Sequence, residues 1–74
     1  MQVKIYTLPS CVQCDATKRS FKSKGIEYTE VSLQDEPGAL ELVKELGYQA
    51  APVIVAGESH WSGFKPDMIA TLAA

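Results

Sequence analysis

Residues 2–7, Gln-Val-Lys-Ile-Tyr-Thr, alternate, with Val3 and Ile5 on one face and Lys4 on the other. A period of two predicts a strand. Leu8-Pro9-Ser10 breaks the pattern, and a helix is predicted from about Cys11 to Lys24. Ser10 would cap it, and Gly25 would end it with Lys22 and Lys24 in its last turn. Its apolar side is short: Val12, Ala16 and Phe21, with Thr17 and Ser20 alongside. Ile26 to Leu33 reads as a second strand. A second helix is predicted from about Glu36 to Leu46, with Asp35 as cap, Pro37 in the first turn and Gly47 as the stop. Leu40, Val43 and Leu46 fall at helical spacing there, beside Ala39 and Leu42. Pro52–Ala56 is a compact apolar strand, Gly57-Glu58 a turn and Ser59–Ser62 a short return strand. After Gly63, Pro66 opens a last helix carrying Met68, Ile69 and Leu72.

The predicted order is β-α-β-α-β-β-α. The first β-α-β unit implies two parallel strands joined by a right-handed crossover, and the Gly57-Glu58 hairpin adds an antiparallel pair. One four-stranded mixed sheet flanked by helices accommodates the whole chain. At 74 residues the chain makes a single domain, because chains split only when one core no longer serves, at about 250 residues. Apolar residues at 46% and charged residues at 22% exclude intrinsic disorder. A net charge of −2 gives no electrostatic reason to expect nucleic acid, whose binders are basic. No apolar run approaches the roughly 18 residues of a membrane helix. No charged leader followed by an apolar stretch is visible at the start, so the cytoplasm is the expected compartment.

The chain has two cysteines, Cys11 and Cys14. A bond between them closes too small a loop to constrain the unfolded chain much, so structural stapling is a poor explanation. A Cys-x-x-Cys pair in this setting points to redox or metal chemistry. Cys11 falls at the predicted start of the first helix, where unpaired N–H groups and the helix dipole favour an anion and make a thiolate nucleophilic near neutral pH. Cys14 lies three residues on, on the same helix face, within reach of the Cys11 sulfur. Position therefore assigns attack to Cys11 and resolution to Cys14. Lys18, Arg19 and Lys22 make this helix basic, which reads either as a solvated face or as weak help for a thiolate and more for an acidic partner.

Other features admit two readings each. Structural zinc wants four ligands, and Cys11, Cys14 and the lone His60 leave the set short without a carboxylate or a second chain. His60, on a predicted edge strand, reads as a surface histidine before a catalytic base. Ala51-Pro52 either starts a strand, where a missing N–H is harmless, or forms a cis bond that faces the cysteine loop. Trp61-Ser62-Gly63-Phe64 places two large aromatics around a turn, as core packing or as a partly exposed patch that docks a partner near the dithiol.

Three segments together resemble the signatures of the NrdH-redoxins, small glutaredoxin-like proteins of bacteria: Thr7-Leu8-Pro9-Ser10-Cys11-Val12-Gln13-Cys14, Ala51-Pro52-Val53 and Trp61-Ser62-Gly63-Phe64-Lys65-Pro66-Asp67. The resemblance spans the whole chain. It implies a thioredoxin-like (minimal glutaredoxin) α/β fold with sheet order 2-1-3-4 and three helices, Cys11 as nucleophile, Cys14 as resolving cysteine and Pro52 as the cis-proline. Val12, Gln13, Ala51, Pro52, Val53, Trp61, Ser62, Gly63 and Phe64 would form the surface that meets partners. It implies a monomeric hydrogen donor to the large subunit of a class Ib ribonucleotide reductase. That donor binds no cofactor or metal and is re-reduced by thioredoxin reductase at the expense of NADPH.

Glutathione-using glutaredoxins usually carry Cys-Pro-Tyr-Cys, where this chain has Val12-Gln13 between its cysteines. They usually carry Gly-Gly-aromatic-x-Asp before the last helix. Here, read without a gap, Pro66 takes the carboxylate position, with no N–H to donate and no charge to pair with an ammonium group. A one-residue insertion would put Asp67 there instead. A glutathione-dependent glutaredoxin is thus the alternative within the same chemistry, and a non-catalytic zinc-binding or docking module the alternative outside it.

Overall fold

In a computed structural model describing residues 2–73, β1 (Val3–Thr7) lies between β2 (Thr29–Ser32) and β3 (Val53–Ala56), and β4 (Ser59–Ser62) forms the edge beyond β3. The order is β2-β1-β3-β4, with β1 parallel to β2 and antiparallel to β3, and β3 antiparallel to β4. This is the mixed sheet of order 2-1-3-4 expected of a thioredoxin-like domain. Three helices flank it: α1 (Val12–Ser23), α2 (Ala39–Glu45) and α3 (Pro66–Leu72).

Strand alternation divides the core into two layers. Val3 and Ile5 of β1, Ile54 and Ala56 of β3 and Trp61 of β4 pack with Phe21 of α1 and Ile69 of α3. Tyr6 and Val53 point to the opposite face and pack with Leu33 and with Ala39 and Val43 of α2. The face of β1 that carries Lys4 is therefore covered as well. The central strands β1 and β3 are thus covered on both faces, while β2 and β4 at the margins keep exposed positions.

The first two helices differ from the sequence reading in three places. The N-cap of α1 is Cys11 and not Ser10: Ser10 takes a left-handed conformation, φ 57°, in the turn before it, so the helix begins one residue later. The buried stripe of α1 is Cys14, Thr17 and Phe21, whereas Val12 is 80% exposed. Thr17 tolerates burial because its hydroxyl donates to the Gln13 carbonyl at 2.8 Å. The second helix begins at Ala39 rather than Glu36. Its N-cap, Gly38, has φ 83°, a left-handed conformation that glycine adopts without a Cβ penalty but that interrupts a helix. Pro37 thus belongs to the preceding turn, and Asp35 caps nothing there; its N–H donates to Ser32 Oγ at 3.3 Å. With the helix restarted, Ala39 and Val43 face the core and Leu40 is 48% exposed.

β2 is also shorter than predicted. Ile26 N–H donates to the Phe21 carbonyl at 2.9 Å to finish α1, and Tyr28 packs edge-on against Phe21, ring centroids 5.6 Å apart. Both residues are spent on closing the helix before the ladder begins. β3 starts at Val53 because Pro52 has no N–H to give it. β4, the stop at Gly47 and the start of α3 at Pro66 lie where the pattern put them.

Phe21 is wholly buried where α1, the sheet and Tyr28 meet. Phe21→Ala is expected to lower the unfolding free energy by about 3–5 kcal/mol, a large share of the stability of so small a domain. Leu40→Ala on the exposed face of α2 is expected to cost under about 1 kcal/mol. Urea denaturation of the two variants checks the contrast.

Candidate functional site: a dithiol at a helix start

Cys11 and Cys14 are joined in a disulfide, Cα atoms 5.2 Å apart. Cys11 caps α1 from outside the helix, φ −105° and ψ 105°, and its Sγ accepts from the Cys14 N–H at 3.1 Å. That sulfur occupies the place of a capping oxygen. In the reduced pair the same N–H and the positive end of the helix dipole favour a thiolate at Cys11. Cys11 is partly exposed and Cys14 is 1% exposed, so Cys11 is the more accessible sulfur of the pair.

The Ala51–Pro52 peptide bond is cis. The turn after β4 fastens this loop and the dithiol helix together. Ser62 Oγ donates to the Ala50 carbonyl at 2.9 Å, Gly63 N–H donates to the Pro52 carbonyl at 2.8 Å, and Phe64 N–H donates to Gln13 Oε1 at 3.2 Å. Gly63 has φ 87°, and a Cβ there would come within 3.4 Å of Gln13 Oε1. Glycine thus supplies both the backbone conformation and the close approach. These bonds tie the Pro52 loop and the Ser62–Phe64 turn to Gln13, which lies between the two cysteines in the chain.

The structure separates the two aromatic rings. Trp61 is 4% exposed and packs in the core; its Nε1 has no acceptor. Its ring offers no docking surface, which corrects the placement of Trp61 among the partner-facing residues. Val53 is likewise wholly buried, so its side chain faces α2 rather than a partner. Phe64, 39% exposed, and Val12 remain on the surface, and Leu8, in the loop before Cys11, joins them. Leu8 carried a signal the sequence reading passed over: an apolar residue in a loop next to a reactive cysteine. His60 is exposed on β4, its Nδ1 2.6 Å from Tyr48 Oη. Among the described residues, no group of three or more His, Cys, Asp or Glu side chains is placed to hold a metal ion.

A polar cluster lines the other side of the dithiol. Lys18 Nζ donates to Glu30 Oε2 at 3.1 Å, and Thr7 Oγ1 donates to the same oxygen at 2.9 Å. Asp15 Oδ1 stands 3.7 Å from the ammonium. These four residues share a cleft of about 280 Å³ with Cys11 and Cys14. Glu30 and Thr7 were not legible as site residues. They meet because the parallel register sets Ile5 opposite Glu30 and Thr7 opposite Ser32, which turns Thr7 and Glu30 toward α1. The Thr7 hydroxyl, then the Lys18 ammonium, hold the Glu30 carboxyl below its ordinary value. The hydrogen bond to Glu30 outweighs burial and holds Lys18 above its ordinary value.

Fold and site define a class: a thioredoxin-like protein with a helix-capping Cys-x-x-Cys that forms a disulfide. The sequence profile of the glutaredoxin family matches residues 3–61. The glutaredoxin-like protein NrdH of Salmonella typhimurium is 45% identical over 69 residues, covering 93% of this chain and 85% of that protein. The NrdH protein of Lactococcus lactis is 35% identical over 71 residues, covering 96% and 99%. The solved structure of NrdH-redoxin from Escherichia coli, described as having a thioredoxin-like activity profile, superposes with a TM-score of 0.94 at 42% identity, covering 97% of this chain and 95% of that one. The chain belongs to the glutaredoxin family and, within it, to the NrdH-redoxins.

The Glu30 carboxyl has a lowered folded value, so its contribution to stability is present above the ordinary 4.5 and is lost as pH falls through the folded value. Glu30 is more than a third exposed, so solvent screening keeps that contribution under about 1 kcal/mol. Glu30→Gln is expected to lower stability near neutral pH by under about 1 kcal/mol and to converge with the native chain as pH falls, which removes this part of the acid slope. Thermal melts of both proteins from pH 3 to 7 check it.

Proposed function

We propose that this protein is a dithiol reductant of protein disulfides that donates electrons to the large subunit of a class Ib ribonucleotide reductase. Thioredoxin reductase re-reduces it, drawing on NADPH. The observation that carries the reading is the pairing of a partly exposed, helix-capping Cys11 with a buried Cys14 behind it. The Cys11 thiolate attacks one sulfur of the partner's disulfide. That bond breaks, and the displaced sulfur leaves as a thiolate and takes up a proton. Cys14 then loses its proton and attacks Cys11 Sγ, which expels the partner's second sulfur. Two electrons and two protons pass from this protein to the partner, and the Cys11–Cys14 disulfide remains. No cofactor is bound in the cycle; NADPH acts only on the reductase. A cytoplasmic location and a monomeric working form belong to the same reading.

Membership among the NrdH-redoxins supports the ribonucleotide reductase as the partner, and the apolar surface of Leu8, Val12 and Phe64 gives a partner something to bury. The start of α3 supports thioredoxin reductase over glutathione. Pro66 is its first residue, with no N–H, and Asp67 is its second. A glutathione carboxylate would find one donor fewer there.

In a coupled assay, NADPH oxidation is expected to require both thioredoxin reductase and this protein, with the disulfide of a class Ib ribonucleotide reductase as acceptor. Equal turnover with glutathione and glutathione reductase would make the protein a glutathione-dependent glutaredoxin instead.

The two cysteine variants are expected to fail differently. Cys11→Ser removes the nucleophile, so turnover and covalent complex both disappear. Cys14→Ser keeps the attack and loses its resolution, so a partner adduct accumulates that dithiothreitol releases, visible on a non-reducing gel. Trapping by Cys11→Ser alone would reverse the two roles.

A further inference from the structure

Lys18 follows Cys14 by four residues on α1 and stands on the wall of the cleft that both sulfurs line. A free ammonium there would draw thiolate character onto the reduced pair. The charge is not free. Among the described contacts, Lys18 Nζ hydrogen-bonds Glu30 Oε2 at 3.1 Å and neither sulfur, with Asp15 farther off at 3.7 Å. Glu30 is itself held in place: its bonded oxygen also accepts from Thr7 Oγ1, and Thr7 is buried at the end of β1. Thr7, Glu30 and Lys18 thus form a chain of contacts from the sheet to α1, fixed at its buried end.

We propose that Glu30 is a positioning residue for the dithiol: it anchors the Lys18 ammonium on the cleft wall and offsets its charge, so that the reduced Cys11–Cys14 pair is stabilised less, and is a stronger reductant, than an unrestrained Lys18 would leave it. The other charged groups of the cleft are Asp15 on α1 and Asp35 after β2, with Lys22 one turn beyond Lys18. Both carboxylates oppose a thiolate, which leaves Lys18 as the cleft cation whose position matters most. The inference rests on the dithiol function proposed above and assigns a cause to its reducing strength.

The test uses the whole protein and two readouts that a merely structural role for Glu30 would not move. One is the pH dependence of alkylation of reduced Cys11 by iodoacetamide, which follows its thiolate. The other is the equilibrium with the glutathione couple at pH 9: protein dithiol plus glutathione disulfide gives protein disulfide plus two glutathione, with two electrons and two protons transferred. At that pH a thiol stabilised as thiolate expresses most of the difference. Glu30→Gln is expected to move the alkylation midpoint to lower pH and the equilibrium threefold to tenfold toward protein dithiol, tenfold being about 30 mV for this couple. Lys18→Met is expected to move both the other way.

The combination Lys18→Met/Glu30→Gln separates positioning from simple loss of a carboxylate. If Glu30 restrains Lys18, Glu30→Gln shifts the equilibrium less in the Lys18→Met background than in the native chain. Equal shifts in the two backgrounds, no shift beyond twofold in the native chain, or a shift toward disulfide would each overturn the proposal. Far-UV circular dichroism of each variant confirms that the fold is kept. A native protein whose Cys11–Cys14 bond dithiothreitol does not open to two titratable thiols would instead overturn the dithiol reading itself.

Discussion

The antiparallel register of β3 on β1 is the constraint from which the site follows. It sets Tyr6 opposite Val53, and the next ladder sets Val53 opposite Ser62. The end of β1, the beginning of β3 and the end of β4 therefore lie at one edge of the sheet. The chain leaving β1 arrives at Cys11, the chain entering β3 comes through the cis peptide at Pro52, and the chain leaving β4 passes through Gly63. Three segments far apart in sequence become neighbours with no long loop to order, and three short hydrogen bonds are enough to join them. A slip of one residue in that register would turn every side chain to the other face. Ile5 and Ile54 would then leave the α1 and α3 layer, so the hydrophobic core and the dithiol geometry are specified together.

Legibility in the sequence followed how local each cause was. β1 shows a period of two set by its own residues, β4 follows from the Gly57-Glu58 turn, and Gly47 and Pro66 are local punctuation, so these features stand where the pattern puts them. α2 failed at its start because Pro37 can open a helix or fill a turn. Gly38, the next residue, decided for the turn by taking a left-handed conformation. Val12 failed as a core residue because helical spacing fixes a stripe but not which stripe faces the sheet. At the site, the closeness of Cys11 and Cys14 was legible because three residues make nearly one helical turn. The opposite fates of Trp61 and Phe64 were not, because Trp61 lies within β4 and faces the core while Phe64 lies beyond the strand, after the turn at Gly63. Glu30 gave no signal at all. Its contact with Thr7 joins side chains 23 residues apart in the chain, through a parallel pairing of β1 and β2.

Energetically the site sits on a well-filled part of a small core. Cys14 and Thr17 are buried on the same helix face as Phe21, so the resolving sulfur is held by packing that the domain needs in any case. The exposed apolar side chains are otherwise arranged. Leu8, Val12 and Phe64 are left exposed although each could bury apolar area. Full burial of such side chains is worth about 1.5–3 kcal/mol each. That free energy is withheld from folding and stays available to association.

A carrier that must visit two redox states without refolding needs its disulfide to contribute little to the fold. The spacing of Cys11 and Cys14 meets that need. Chain-entropy stabilisation grows with the loop a bond closes, and this loop is a single helical turn that the helix already fixes. The N-cap contact of Cys11 Sγ with the Cys14 N–H uses the same sulfur in either state, as acceptor when bonded and as anion site when reduced. Opening the bond therefore frees little chain and breaks no part of the sheet. The difference in free energy between the two states is left to the surroundings of the sulfurs: the helix dipole, the burial of Cys14 and the charges of the cleft. These act on a thiolate and barely on a disulfide, so redox poise is adjustable by residues such as Lys18 and Glu30 that the fold itself can spare.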